Sequence, residues 1–127
     1  MSEAITWPPL PSDDALREQA QLVARGVRPL ALVGSCAPES ASAVRHHLLR
    51  LGVSGAIPFV VPHGDGAECG YAARAWVVET LTWLWTVPER HRHRVLGLLL
   101  GYSAEAIGQF DEMVFAEPGR VLNGAVQ

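Results

Sequence analysis

The sequence predicts a single, mostly helical domain of the α/β or α+β class. The chain has 127 residues, of which 49% are hydrophobic, enough for one domain with its own core. Two short apolar runs, near 28–34 and 56–62, flank a segment with helical punctuation, which predicts a short β-α-β unit. From residue 71 onward the pattern is helical, and it predicts three consecutive helices over 71–86, 88–100 and 103–115.

The first part of the chain predicts an extended segment, a helix and a strand. Residues 1–11 form a proline-rich leading segment, because the prolines of WPPLP exclude regular structure. A helix follows, capped by Ser12 or Asp13 and ended by Gly26. The continuous apolar run RPLALVG, over 28–34, is typical of a buried strand.

The next part predicts a helix and a second strand. PESASAVRHHLLRLG, over 38–52, begins with proline and glutamate and ends at glycine, as helices do. GAIPFVVPHG, over 55–64, is a candidate strand, and its first proline favours an edge position. Parallel pairing of the two strands would make a right-handed crossover. Because two strands alone are unstable, we expect either a third strand from 119–126 or helices on both faces of a small sheet.

The remaining segments are predicted to be helices. YAARAWVVETLTWLW, over 71–85, is apolar nearly all round, which predicts a central buried helix. Thr86 and Glu89 have the spacing of a capping box and therefore mark the start of the next helix. Gly101 ends that helix, and Ser103 caps the last one.

Charge and cysteine content exclude several functional classes. The net charge is −3, and all ten cations are arginine, so a general basic footprint for nucleic acid is absent. The N-terminus lacks the pattern of a secretory signal, and the longest apolar segment is too short to span a bilayer. Cys36 and Cys69 are too far apart in sequence for a CxxC motif and too few for a disulfide scaffold. We therefore expect a soluble, cytoplasmic protein with reduced thiols and no membrane partner.

One loop carries the candidate catalytic residues. HGDGAEC leaves the end of the second strand and brings together His63, Asp65, Glu68 and Cys69. Strand ends are favoured places for ligands in α/β folds. A cysteine near a helix N-terminus has a lowered pKa, and a nearby histidine serves as its base. The alternative is a polar turn in which glycines supply unusual backbone angles and Asp65 or Glu68 caps the helix.

The sequence predicts no metal site and no cofactor. His46 and His47 are neighbours in sequence, so on a helix their side chains point about 100° apart and do not coordinate the same metal ion. The zincin spacing is missing. The loop VGSCAPES, over 33–40, lacks the glycine pattern of a dinucleotide site and the lysine of a P-loop.

Aromatic and basic residues in the second half favour a protein interface. Residues 71–110 contain more apolar area than two helices and a small sheet need to cover themselves. Aromatic residues and arginine are the types that dominate binding energy at interfaces. The predicted partner-binding residues are Trp76, Trp83, Trp85, Arg90, Arg92 and Arg94.

Residues 91–112 also have the pattern of a helix-turn-helix. Gly101 takes the corner, Gly97 the tight position before it, and the apolar sites are Leu96, Leu100, Tyr102, Ile107 and Phe110. This segment resembles a helix-turn-helix motif, which implies a DNA-binding regulator. The second helix, however, offers Glu105, Gln109, Asp111 and Glu112 and no cation, and this acidic face would repel the DNA backbone.

The function that the sequence favours is a small, non-enzymatic binding or regulatory protein that acts through protein contacts, with another protein or with a second copy. Two alternatives stay open: a helix-turn-helix DNA-binding regulator, and a small Cys/His-dependent enzyme or metal-binding protein.

Overall fold

The computed structural model describes residues 7–101 together with Glu105 and Gln109. The described part combines helices with a three-stranded antiparallel sheet. In chain order the elements are α1 (Asp13–Ala24), β1 (Leu30–Cys36), a 3-10 turn (Pro38–Ser40), α2 (Ala41–Leu51), β2 (Ile57–His63), β3 (Gly66–Ala72), α3 (Ala75–Leu84) and α4 (Glu89–Leu99). The predicted helix 103–115 and the candidate strand 119–126 lie outside the described residues, apart from Glu105 and Gln109.

The sheet differs from the predicted β-α-β unit. Its strand order is β1-β3-β2, and β3 pairs antiparallel with both neighbours. Strands β1 and β2 run in the same direction but do not pair, because β3 lies between them. The expectation of a parallel pair was therefore wrong, and the third strand among the described residues is formed by 66–72.

The amino-acid composition of β3 does not predict a strand. It reads GAECGYA, whose glycines and alanines have little intrinsic preference for strands. The structure nevertheless requires small residues here, because a Cβ at Gly70 would overlap the carbonyl oxygen of Ala31 on β1. A tight turn joins β2 to β3, and Gly64 adopts a φ of +60° there, as a two-residue hairpin requires. The predicted loop and the first residues of the predicted helix 71–86 are thus a hairpin and a central strand.

Helices cover the sheet on both faces, which is one of the two arrangements that the sequence predicted. Helices α1 and α2 pack on one face, where Tyr71 of β3 is fully buried and donates a hydrogen bond of 2.7 Å to the carbonyl oxygen of Leu48. Helices α3 and α4 pack on the other face, where the core consists of Leu30, Phe59, Val61, Ala72, Val77, Leu81, Leu84 and Leu99. The result is a three-layer arrangement of helices, sheet and helices.

The first helices agree with their sequence signals. The Ser12 hydroxyl accepts a hydrogen bond of 3.2 Å from the amide of Ala15, and Gly26 follows the helix with a φ of +79°. Helix α2 ends at Gly52, as its glycine predicts.

The third and fourth helices correct two predictions. Helix α3 is not buried all round, because Trp76 and Trp83 are exposed. The predicted capping box at the start of α4 is not formed. Thr86 instead donates a hydrogen bond of 2.6 Å to the carbonyl oxygen of Trp83, and Pro88 takes the N-cap position. Gly101 does end α4, with a φ of +90°. No helix in the described part of the chain is both long and apolar enough to cross a membrane.

Candidate functional site

The outer side of α3 and α4 carries exposed apolar side chains. Trp76 and Trp83 on α3 are 57% and 58% exposed, and Leu98 on α4 is 58% exposed. Exposed apolar side chains that form a large contiguous patch mark interaction sites in soluble proteins. We call the side of α3 that carries Trp76 and Trp83 the Trp face.

Helix geometry explains why the two tryptophans share one side of α3. Residues seven positions apart point in nearly the same direction and lie about 10 Å apart along the axis. The side of α3 that packs on the sheet is already occupied by Val77, Leu81 and Leu84. Trp76 and Trp83 are therefore left facing away from the core.

Thr80 lies between Trp76 and Trp83 on this side of α3, and the use of its hydroxyl makes the surface less polar than the sequence indicates. Thr80 lies one turn after Trp76, and its hydroxyl donates a hydrogen bond of 2.8 Å to the carbonyl oxygen of Trp76. Because the hydroxyl is used within the helix, a partner that covers Thr80 does not leave this donor without an acceptor.

The α3–α4 layer is basic in a chain that is acidic overall. Between residues 74 and 99 there are four arginines and two glutamates, whereas the whole chain has a net charge of −3. Arg74 and Arg94 are exposed at the two helices. An acidic surface would therefore be attracted to this layer.

A polar cluster lies where the hairpin meets the junction between α3 and α4. We define it by Ser35, His63, Glu68, Trp85 and Arg92. The imidazole of His63 stacks on the indole of Trp85, with 3.8 Å between ring centroids and 16° between ring planes. The guanidinium of Arg92 lies 5.5 Å from the centroid of the same indole. Trp85 thereby joins the sheet to both helices of this layer.

Glu68 connects two strands within the cluster. Its Oε1 accepts a hydrogen bond of 3.3 Å from the Ser35 hydroxyl and lies 3.5 Å from His63 Nδ1. Because strand residues alternate between faces, Glu68 and His63 point to the α3–α4 side, opposite to Cys69 and Tyr71. The carboxylate therefore lies beside one nitrogen of the imidazole and orients the ring.

The cluster does not have the arrangement of a Ser-His-Asp catalytic triad. In such a triad the serine hydroxyl contacts one nitrogen of the histidine, and the acid contacts the other ring nitrogen. Here Ser35 and His63 both contact the same oxygen of Glu68. The arrangement holds an imidazole in place but does not activate Ser35 as a nucleophile.

The other predicted catalytic residues lie elsewhere. Cys69 is fully buried on the α1–α2 side of the sheet, and its thiol lies 3.3 Å from the Gly34 carbonyl oxygen. Burial, followed by the negative charges of Cys36 and Glu68, raises the pKa of Cys69 to about 12. Asp65 is exposed in the hairpin turn. The structure thus brings together His63 and Glu68 but separates Cys69 from His63, and Asp65 and Glu68 cap no helix because a strand follows.

The predicted partner-binding residues are divided between two places. Trp76 and Trp83 belong to the Trp face, whereas Trp85 and Arg92 belong to the polar cluster and are half-buried. Arg90 and Arg94 lie on α4; Arg94 is exposed, and the side chain of Arg90 is outside what the structure describes.

Sequence reasoning missed Ser35 and the contacts of Trp85. The signal that could have found them is strand periodicity in β3. If 66–72 is read as a strand paired with β2, then His63 and Glu68 fall on one face of the sheet. Ser35 then lies directly opposite Glu68 on β1.

The described geometry defines a three-layer arrangement of helices around an antiparallel sheet, with exposed tryptophans on α3 and a polar cluster at the junction of α3 and α4. Among the described residues, no three His, Cys, Asp or Glu side chains are grouped so that they could hold a metal ion. Comparisons with protein-family models, with curated proteins and with solved structures found no match for the chain.

Proposed function

We propose that this is a small, non-enzymatic binding protein whose Trp face docks onto another protein. The observation that carries the proposal is the exposure of Trp76 and Trp83 on one side of α3. Buried tryptophan is among the strongest contributors to binding energy at interfaces. The proposal includes a cytoplasmic setting, which is supported by two free cysteines.

The surroundings of the Trp face support a protein partner over a small ligand. The face is the exposed side of a helix, whereas small molecules bind in concave pockets. Arg74 directly precedes α3 and Arg94 lies on α4, and both are exposed, so the layer that carries the apolar face also offers the polar and charged groups found at the rim of protein interfaces. The partner that best fits has an apolar patch with an acidic rim.

The experiment compares capture of partners by the wild-type protein and by the double variant Trp76→Ser/Trp83→Ser. A protein retained by the first and lost by the second is then purified, and its Kd is measured by calorimetry. We expect the double variant to bind it at least about 30-fold more weakly, since hot-spot truncations cost about 2 kcal/mol or more.

Leu49→Ser is the matched control. Leu49 is 61% exposed, but it lies on α2, on the other side of the sheet. This variant should bind the same partner with unchanged affinity. If the double tryptophan variant binds as tightly as the wild type, the Trp face is not the docking surface and the proposal is wrong.

A DNA-binding regulator is the second candidate, and one observation favours it. The left-handed backbone at Gly101, with φ of +90°, is what a tight corner between two helices needs. The known exposed residues beyond this corner are Glu105 and Gln109. Sequence-selective binding to duplex DNA that disappears with Gln109→Ala would favour this candidate over a protein partner.

A further inference from the structure

We propose that a cleft between α2 and the outer edge of β2 binds a small amphipathic carboxylate, that is, an apolar chain that ends in a carboxylate group. The cleft has a volume of about 850 Å³. This volume lies in the range of small-molecule sites, about 300–1,000 Å³. The residues that line the cleft come from 39–49 and from the start of β2. The proposal goes beyond the binding of a protein partner, because none of these residues belongs to the Trp face.

One side of α2 forms the first wall of the cleft. Residues at positions i, i+3, i+4 and i+7 share one side of a helix. The lining residues of α2 have this spacing: Ser42, Arg45, His46 and Leu49. The side of α2 that packs on the sheet is occupied by the buried Leu48 and Leu51. The wall is therefore the outer, exposed side of the helix, and it carries polar and apolar groups together.

The second wall is apolar and belongs to the start of β2. Ile57 is 39% exposed there, next to Pro58, and Leu49 across the cleft is 61% exposed. A smaller cleft of about 340 Å³ shares Ile57 and Pro58 and extends along β2 to Val78 of α3. An alkyl chain that lies along Ile57 and Pro58 is thereby removed from water, which is favourable for each methylene group that is covered.

Arg45 supplies the charge that selects a carboxylate. Its side chain lines both clefts, so it lies where they meet. Among the described residues, no carboxylate forms an ion pair with Arg45, whereas the guanidinium of Arg50 lies 2.8 Å from Nδ1 of His47. A guanidinium binds a carboxylate through two parallel, charge-assisted hydrogen bonds. Arg45 is therefore the group that we assign to the ligand carboxylate.

Two glutamates set the orientation of the ligand. Glu39 lines the larger cleft six residues before Arg45, and Glu79 lines the smaller cleft. Six residues of a helix span about 9 Å. A carboxylate beside either glutamate would be repelled by the like charge. The carboxylate of the ligand therefore lies at Arg45, and its chain lies along Ile57 and Pro58.

The test is a titration of the isotope-labelled protein with decanoate, at concentrations at which decanoate is monomeric, followed through the backbone amide signals in NMR spectra. We expect saturable shifts that are largest around Arg45, Leu49 and Ile57. Octanoate, which is two methylenes shorter, should bind more weakly, by up to a factor of about four for each methylene that is buried. Decyltrimethylammonium has the same chain and the opposite charge, and it should cause no saturable shift at Arg45.

Matched variants separate the contribution of the charge from that of the apolar wall. Arg45→Gln should bind decanoate at least about 10-fold more weakly, because it removes the charge-assisted hydrogen bonds. Arg50→Gln is the control, since it removes the same charge from the same helix but does not line the cleft, and its affinity should equal that of the wild type. Leu49→Ser should weaken binding of decanoate, whereas Trp76→Ser/Trp83→Ser should leave it unchanged.

Three outcomes would overturn the proposal. The first is equal affinity of Arg45→Gln and the wild-type protein for decanoate. The second is a set of shifts concentrated at Trp76 and Trp83, because the Trp face would then hold the ligand. The third is a response to phosphatidylglycerol vesicles without a response to dissolved decanoate, because the occupant would then be a lipid surface. None of these outcomes bears on the proposed function, whose test measures a protein partner and the tryptophan variants.

Discussion

The imidazole of His63 stacks almost parallel on the indole of Trp85, with 3.8 Å between the ring centroids. His63 ends β2, and Trp85 follows the last residue of α3. The two residues therefore hold the end of the hairpin against the junction of the α3–α4 layer. Glu68 holds the imidazole from the sheet side, at 3.5 Å from Nδ1.

We predict that His63 and Trp85 are energetically coupled. A double-mutant cycle with His63→Ala and Trp85→Leu should give a coupling free energy of about 0.5–1.5 kcal/mol, the range of stacked ring pairs. Urea unfolding of the four proteins measures it. The same cycle with Trp83→Leu is the control, because Trp83 is exposed on another side of α3, and its coupling to His63 should be near zero. Equal coupling in both cycles would contradict a direct stack.

We predict that Gly70→Ala strongly destabilises the protein, by at least about 3 kcal/mol in the free energy of unfolding. The added methyl would overlap the Ala31 carbonyl oxygen, which belongs to the backbone of β1 and cannot move without disrupting the sheet. Gly64→Ala is the comparison: its φ of +60° is unfavourable for alanine, but nothing lies within 4 Å of the added atom. That variant should lose about 1 kcal/mol, and a similar loss in both variants would show that close packing at Gly70 is not limiting.

We predict that stability decreases at alkaline pH because of Cys69. Burial raises its pKa from 9.0 to about 12, so the folded protein favours the neutral thiol. The resulting stabilisation is complete below pH 9.0 and is lost as the pH rises towards 12, because only the unfolded chain ionises in that window. Urea unfolding under reducing conditions, at a pH below 9.0 and at about pH 11, should show this decrease.

The control for the alkaline effect is Cys69→Ala. Burial also raises the pKa of Cys36 and of Tyr71, so a part of the decrease should persist in this variant. The decrease should nevertheless be smaller than in the wild type. A pH dependence identical in the two proteins would mean that the Cys69 thiol is not the group responsible.

We predict that two prolines protect the β2 edge of the described sheet. Pro58 and Pro62 are separated by an even number of positions on β2, so their backbone nitrogens point to the same side of the strand. Because proline has no N–H to donate, both nitrogens fit the hydrogen-bond ladder only when they point away from β3. The outer edge then keeps a single N–H donor among these positions, at Val60, and a second strand cannot pair with it. Pro58→Thr/Pro62→Thr should therefore self-associate in light scattering. Pro9→Thr/Pro11→Thr, in the leading segment, should not; self-association of both variants would argue against edge protection.

Local signals determined the first helices and the ends of several elements. Ser12 caps α1, glycines follow α1, α2 and α4, and the apolar runs of β1 and β2 lie within two residues of the predicted strands. These features depend on interactions within a few residues, which sequence patterns report directly. The composition of the α3–α4 region likewise indicated an apolar surface, and Trp76 and Trp83 are exposed there.

Tertiary structure alone decided the identity of β3 and, with it, the polar cluster. GAECGYA becomes a strand because β1 and β2 supply hydrogen-bond partners on both sides and because its glycines allow the neighbouring backbone to approach closely. Strand formation in such a segment depends on neighbours and not on intrinsic preference. The same pairing turns Glu68 towards His63 and Cys69 away from it. The outward position of Trp76 and Trp83 has a related cause: the sheet accepts one side of α3, and Val77, Leu81 and Leu84 occupy that side.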